Sequence, residues 1–191
     1  KLTDPAAGVQ VLDAGTVLTD DLLAIHAISE TKVIAVGNAG AILKSENGVT
    51  FARVTPPVGV GTNLTAVWIK ANNDSEWWLG TSGGALYTTV NNGTTLTSRA
   101  FSGSGTGVLR DIVFASKNIG YLSHDTTAPL GRIFRTYSGG NSWQLLPEGS
   151  ATLPANDRIT ALAACAEDVN FVVGVGLGDN ASDGIILVGE D

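Results

Sequence analysis

The chain has 191 residues, of which 43% are hydrophobic and only 15% charged, with 24 glycines and no methionine. This composition excludes a disordered chain and a helical bundle, and it is typical of short strands joined by tight turns. The net charge of −7 argues against nucleic acid or an anionic membrane as partner, because both need clustered Lys and Arg. The longest apolar runs are far shorter than the roughly 18 residues that a membrane-spanning helix requires.

The predicted elements, taken in chain order, begin with a strand at residues 8–12 (GVQVL) and continue as four similar units. Each unit opens with a seven-residue run of strand-forming residues, at 22–28, 64–70, 109–115 and 159–165. A second run follows each, at 32–37, 76–80, 119–123 and 170–176. After a glycine-containing turn comes a third, at 40–45, 84–89, 131–136 and 184–189.

In three of the units a hairpin of similar sequence leads to a fourth strand: SENGVTF at 45–51, TVNNGTTL at 89–96 and TYSGGNSW at 136–143. In such hairpins short polar side chains bond nearby backbone amides, glycine adopts a positive φ, and the last large residue enters the core. The residues predicted to hold the three hairpins are Ser45, Asn47, Gly48, Phe51, Thr89, Asn91, Gly93, Thr136, Ser138, Gly140 and Trp143.

Four strands in a repeat of about 40–50 residues are typical of a β-propeller blade. We therefore predict an all-β fold, a β-propeller of four four-stranded blades, at about 21–54, 63–101, 108–146 and 158–191. The fourth unit lacks its own fourth strand, so we expect the N-terminal strand at 8–12 to close the last blade and remove an open edge. The alternative is that the four blades are part of a larger propeller. A β-solenoid fits less well, because its repeats are usually shorter, about 20–30 residues.

The hairpins resemble the Asp-box, or BNR repeat, whose pattern is Ser-x-Asp-x-Gly-x-Thr-Trp, with Asn or Ser here in place of the aspartate. The longer stretch AVGNAGAILKSENG is similar to the repeats of photosystem II stability and assembly factors. The resemblance implies a propeller fold. It implies no single activity, because sialidases, sorting receptors and assembly factors share such repeats.

The candidate catalytic residues are few. Sialidases with this repeat use three arginines for the substrate carboxylate and a Tyr–Glu pair as nucleophile, whereas only Arg110 and Arg158 lie on predicted inner strands here. No pair of acidic residues stands out for glycoside hydrolysis. Cys165 is the one cysteine, so it forms no internal disulfide, and we expect a small buried side chain. We predict no catalytic residue, no metal and no cofactor.

Histidine and tryptophan residues have competing interpretations. We interpret His124, next to Asp125 in sequence, as a partly solvated loop residue rather than a base or a metal ligand, because adjacent residues rarely point at one atom. His26 is interpreted as a channel-lining residue with satisfied hydrogen bonds. Trp77 and Trp78 face opposite sides of one strand, so one of them is expected to be partly exposed.

The loops between the second and third strands are long only in the last two units, at 124–131 and 177–184. The last loop carries three oxygen-bearing residues that suit Ca²⁺, but their spacing matches no standard calcium loop, so we favour an acidic surface loop. We predict that a partner binds the face that these two loops rim. The candidate contact residues are His124, Asp125, Arg132, Asp179, Asn180 and Asp183.

The function predicted from the sequence is that of a non-enzymatic structural or protein-interaction propeller. The composition fits a virion (phage particle) component or a secreted surface protein, and it favours an extracellular, virion-surface or periplasmic location. The predicted partners are proteins, including copies of this chain in a larger assembly, with no nucleic acid and no membrane insertion. The alternatives are a glycan-binding or sialidase-like glycan-cleaving propeller, and an assembly factor for a membrane protein complex.

Overall fold

A computed structural model describes residues 21–55, 62–102, 106–126, 131–146, 157–178 and 184–189. Apart from a short 3-10 turn at Asn38–Gly40, the regular elements in these ranges are strands. They are β1 (Leu22–Ala27), β2 (Val33–Gly37), β3 (Ile42–Ser45), β4 (Ala52–Arg53), β5 (Leu64–Lys70), β6 (Asn73–Thr81), β7 (Leu86–Thr89), β8 (Thr97–Arg99), β9 (Val108–Phe114), β10 (Gly120–Asp125), β11 (Gly131–Thr136), β12 (Gln144–Leu145), β13 (Arg158–Ala164), β14 (Val172–Leu177) and β15 (Gly184–Gly189). Within these ranges no helix has the length and apolar character needed to cross a membrane.

The strands form four antiparallel sheets in the order of the chain, which confirms the all-β propeller of four blades. Blade 1 is β1 to β4, blade 2 is β5 to β8, and blade 3 is β9 to β12. Blade 4 consists of β13, β14 and β15 in the described part of the chain. The strand at 8–12, which we predicted to complete blade 4, lies outside the described residues.

The first strand of each blade packs against the first strand of the next: β1 against β5, β5 against β9, and β9 against β13. No extensive contact joins β1 to β13 among the residues that the structure describes. The four blades therefore form an arc in which blades 2 and 3 each have a neighbour on both sides.

The hydrophobic core lies between neighbouring blades as three separate clusters. Between blades 1 and 2 the cluster includes Ile34, Val36, Ile42, Leu64, Val67, Trp77 and Leu79. Between blades 2 and 3 it includes Trp78, Leu86, Leu109, Ile112, Phe114, Phe134 and Trp143. Between blades 3 and 4 it includes Val113, Tyr121, Ile159, Leu162 and Val172. Burying both faces of a sheet in this way explains why its strands do not alternate simply between apolar and polar residues.

The two adjacent tryptophans on β6 correct one expectation. Trp77 points into the cluster shared with blade 1, and Trp78 points into the cluster shared with blade 3. Both are fully buried, so the expectation that one of them is partly exposed was wrong. Their side chains do face opposite sides of the strand, but each side is covered by a neighbouring blade. Cys165, which we expected to be buried, is half-buried just after β13.

The three hairpins share one pattern of hydrogen bonds. The first Ser or Thr hydroxyl accepts a bond from the amide of the hairpin glycine, over 2.9 Å for Ser45 and Gly48, 3.0 Å for Thr89 and Gly93, and 2.9 Å for Thr136 and Gly140. The Asn or Ser two positions later accepts a bond from a second amide, over 2.8 Å for Asn47 and Thr50, 2.9 Å for Asn91 and Thr95, and 3.0 Å for Ser138 and Ser142. The three glycines all have positive φ, which side chains disfavour.

Candidate interaction surface

The predicted contact residues divide between the described and the undescribed parts of the chain. His124 and Asp125 end β10, and Arg132 lies on β11 directly opposite His124 in the antiparallel register. Pairing continues as far as Asp125 opposite Gly131, so the connection between the two strands is shorter than the loop that we predicted. Asp179, Asn180 and Asp183 lie outside the described residues, so their binding role stays a prediction.

His124 is not a partly solvated loop residue, because it lies within β10 and is fully buried. Its ring makes edge-on contacts with Phe101 at 5.3 Å and Phe134 at 6.3 Å between centroids. Burial is the main cause that lowers the pKa of His124, so the imidazole is neutral at pH 7. We conclude that His124 helps to fill the space between blades 2 and 3 and is not placed to contact a partner.

Asp125 is held by Arg110, one of the two arginines on the inner strands. The Arg110 Nε donates a hydrogen bond of 2.7 Å to Asp125 Oδ2, and the carboxylate is buried. This charge-assisted bond joins the start of β9 to the end of β10. It also engages Arg110, one of the two inner-strand arginines that we considered for a sialidase-like pocket, which would need three.

Asp111, the acidic residue on the inner strand of blade 3, has a structural role. Asp111 Oδ1 accepts a bond from the Ile112 amide at 2.8 Å, and Oδ2 accepts one from the Leu162 amide of blade 4 at 2.7 Å. Burial raises the pKa of Asp111, while the two amides oppose that shift. Because both carboxylate oxygens bind backbone amides, Asp111 is poorly placed to act as an acid or a base.

His26 makes the corresponding link between blades 1 and 2. Its Nδ1 accepts a bond of 3.1 Å from the Ile69 amide, and its ring stacks on Trp68 with 3.9 Å between centroids. Burial lowers the pKa of His26 to about 4, which keeps the ring neutral and Nδ1 able to accept. The hydrogen bond at Nδ1 agrees with our interpretation of His26, whose place in a channel stays a prediction.

Thr65 links blades 2 and 3 in the same manner, from the second position of the inner strand. Its hydroxyl donates to the Leu109 carbonyl of blade 3 and lies 3.4 Å from the Gly80 carbonyl of its own blade. Each pair of neighbouring blades is therefore joined by a side chain of one inner strand that bonds the backbone of the next. In the described part of the chain, no group of three or more His, Cys, Asp or Glu side chains is arranged to hold a metal.

Our sequence reasoning missed a second surface, which is apolar. At the blade 1 end of the arc, Leu22, Leu23 and Ile25 of β1 are exposed. At the blade 4 end, the exposed residues are Val175, Leu177, Ile186 and Val188 of β14 and β15. We call the side of blade 1 that faces away from blade 2 the leading face, and the side of blade 4 that faces away from blade 3 the trailing face. The signal was present in the sequence as apolar residues at matching positions of the repeat.

Solved structures support the fold assignment. The chain superposes on a YCF48 structure bound to D1 peptide with a TM-score of 0.66 and 17% identity, over 88% of this chain and 52% of that one. A GH74 enzyme from Niastella koreensis gives a TM-score of 0.66 and 18% identity, over 87% of this chain and 28% of that one. The computationally designed Ika4 protein gives a TM-score of 0.57 and 19% identity, over 90% of this chain and 91% of that one.

The chain thus spans about half the length of the YCF48 structure and about a quarter of the GH74 enzyme. No protein-family model matches the chain, and no curated protein matches it either. At these identities the similarity shows the fold alone, and the neighbours include both an enzyme and a peptide-bound protein. The comparisons therefore show that this chain has a β-propeller fold, which it shares with longer proteins and with the Ika4 protein of similar length.

Proposed function

We propose that this protein is a non-enzymatic protein-interaction propeller. The observation that carries the proposal is the pair of exposed apolar surfaces, the leading and trailing faces, at the two ends of the arc. Large exposed aliphatic patches on a soluble protein are typical of interaction sites. The trailing face alone exposes four large aliphatic side chains on two neighbouring strands: Val175, Leu177, Ile186 and Val188.

The polar residues that we considered for catalysis also support this proposal, because they are engaged in structural hydrogen bonds. Arg110 pairs with Asp125, Asp111 binds two amides, and His26 accepts one. These groups stabilise the packing of the blades, which leaves them badly placed for chemistry on a substrate. We therefore expect neither sialidase nor glycanase turnover. We also expect no glycan binding on an array that includes sialosides and, because a GH74 xyloglucanase from Xanthomonas campestris is a further structural neighbour, xyloglucan fragments.

The edge beside Arg132, together with the loop at 177–184, remains proposed as a further contact region for the partner. His124 and Asp125 no longer belong to this region, because both side chains are buried. The proposed setting, a virion component or a secreted surface protein, rests on the composition. The similarity to the repeats of assembly factors also fits a protein-binding role, and the YCF48 neighbour is itself a structure with a bound peptide.

A photo-crosslinking amino acid at Ile186 tests the proposal, with the same probe at Val90 as control. Both residues are exposed and apolar, but Val90 lies on a hairpin away from the leading and trailing faces. We expect protein adducts at Ile186 and only background at Val90, when the chain is probed both purified and in its source material. Equal labelling at the two positions, or turnover of a sialoside or xyloglucan substrate, would contradict the proposed function.

A further inference from the structure

The seven-residue run of each inner strand has a fixed relation to its neighbouring blades. Its first residue is Leu22, Leu64, Leu109 and Ile159 in blades 1 to 4, and its fourth residue is Ile25, Val67, Ile112 and Leu162. In blades 2, 3 and 4 both residues belong to the apolar cluster shared with the preceding blade. These two positions therefore face backwards along the chain, towards the blade before.

Blade 1 has the same residue types at these positions, but among the described residues no blade precedes it. Ile25 is 67% exposed, whereas Leu162, the most exposed of its three equivalents, is 8% exposed. Leu22 is likewise exposed, whereas Leu64, Leu109 and Ile159 are fully buried. The leading face of blade 1 thus exposes the side chains that the other blades use for packing.

The trailing face of blade 4 shows the complementary pattern. Strand register places Val175 of β14 beside Ile186 of β15, in the same way that Val36 pairs with Ile42 in blade 1 and Gly80 pairs with Leu86 in blade 2. Ile42 and Leu86 are fully buried against the next blade, whereas Ile186 is 74% exposed. The trailing face therefore has the aliphatic residues that the earlier blades bury against their successors.

Thr160 of blade 4 corresponds to Thr65, the side chain that links blade 2 to blade 3. Thr160 occupies the second position of its inner strand, as Thr65 does in blade 2. Its hydroxyl donates to the Val175 carbonyl of its own blade at 3.2 Å, just as Thr65 lies near the Gly80 carbonyl. Thr65 also donates to the first residue of the following inner strand, Leu109. The residue that corresponds to Leu109 at the other end of the arc is Leu22.

We propose that the trailing face of one chain binds the leading face of a second copy, and that two copies close head to tail into a ring of eight blades. The two faces are the halves of an interface that this chain already forms three times between its own blades. Among the described residues, the two faces of a single copy do not meet, because β1 and β13 have no extensive contact. When two copies pair head to tail, each leading face is covered by the trailing face of the other copy. The resulting eight blades lie within the usual range for β-propellers, about four to eight.

This inference rests on the proposed function and adds the identity of the partner. The similarity to a longer chain is consistent with it, because 88% of this chain superposes on only 52% of the YCF48 chain. A ring of two also explains why the exposed residues occur in two complementary sets at opposite ends of the arc. In the ring, the Thr160 hydroxyl of each copy reaches the Leu22 carbonyl of the other.

The first test is the native mass of the 191-residue chain in solution, by light scattering and native mass spectrometry. We expect about 39 kDa, twice the 19.6 kDa of one chain. A monomer at micromolar concentration would overturn the proposal. A mass that grows beyond the dimer with concentration would overturn closure of the ring, because head-to-tail contacts that do not close produce filaments.

Matched aspartate variants identify the surfaces. Val188 and Val90 are equally exposed, at 60% and 61%, so an aspartate at either position is tolerated by a single chain. In the ring, Val188→Asp places a carboxylate in both interfaces and weakens dimerisation by roughly a hundredfold or more, while Val90→Asp leaves it unchanged. Circular dichroism of both variants checks that the fold is intact. Equal dimerisation of the two folded variants would overturn the proposal.

A mixing experiment tests the head-to-tail geometry. Ile25→Asp damages only the leading face, and Ile186→Asp damages only the trailing face, so each variant alone is expected to be monomeric. When the two are mixed, one undamaged interface reforms between the trailing face of the first and the leading face of the second. We expect a heterodimer in the mixture; its absence would overturn this geometry.

The photo-crosslinker at Ile186 separates failure of this inference from failure of the proposed function. An adduct between two copies, mapped to β1 of the second copy, supports the ring. Adducts only with a different protein would overturn the ring while leaving the interaction role in place. Absence of any adduct above the Val90 control would overturn both.

Discussion

The link between blades 1 and 2 through His26 predicts a defined loss of stability in acid. The imidazole accepts a bond from the Ile69 amide, which only the neutral ring is able to do. Its pKa falls from the ordinary 6.5 to about 4 because the ring is buried. Between these two pH values the unfolded chain therefore binds a proton at His26 that the folded chain does not bind. The contribution of His26 to the free energy of unfolding is complete above pH 6.5 and is lost as the pH falls towards 4.

The size of this effect follows from the shift in pKa. A shift from 6.5 to about 4 corresponds to at most about 3–4 kcal/mol, at about 1.4 kcal/mol for each pH unit. The ring keeps some contact with solvent, so we reduce the expected loss to roughly 2 kcal/mol. Burial also lowers the pKa of His124, so His124 contributes in the same direction.

The variant His26→Asn isolates this contribution. The asparagine oxygen replaces Nδ1 as acceptor for the Ile69 amide but does not titrate in this range, and the stacking on Trp68 is lost. Urea denaturation followed by tryptophan fluorescence at pH 7.5 and pH 4 gives the unfolding free energy of both proteins. We expect the variant to be less stable at pH 7.5 and to lose about 2 kcal/mol less than the natural sequence on acidification. The same pH dependence in both proteins would refute the reasoning.

Two further substitutions test the packing between blades by denaturant unfolding. Gly140→Ala is expected to cost at least about 2 kcal/mol, because Gly140 has φ +91° and an added Cβ would lie 2.2 Å from the Trp78 ring. Gly83→Ala, where the nearest atom would be 3.8 Å away, is expected to change stability by less than about 1 kcal/mol, and an equal loss at both sites would contradict the account. Asp111→Ala removes the acceptor of the Leu162 amide and is expected to cost about 1–3 kcal/mol, so a neutral result would show that blades 3 and 4 do not depend on this bond.

The four blades were predictable because the repeat places strand-forming residues and hairpin signals at regular intervals. Strand pairing within a blade is local, and the hairpin hydroxyl groups and glycines that support it are visible in the sequence. This is why the order β1 to β15 follows the predicted runs closely. The resemblance to propeller repeats also pointed to a fold that the structural neighbours share.

What the repeat could not supply was the environment on each side of a blade. The burial of His124 depends on Phe101, which lies in the preceding blade, and on Phe134 of the neighbouring strand. It also depends on strand pairing that extends as far as Asp125, where we had predicted a loop. The burial of both Trp77 and Trp78 depends on blades lying on each side. Ile25 and Ile186 show the opposite case. They occupy positions of the repeat that are buried in the other blades, but they are exposed because their blades lie at the two ends of the arc.

An experimentally determined structure of the 191-residue protein tests the central claim most directly. We predict two copies in one eight-bladed ring, with Ile25 and Ile186 buried at both junctions and each Thr160 hydroxyl bonded to the Leu22 carbonyl of the other copy. A single copy in which the leading and trailing faces both remain open to solvent would contradict the account.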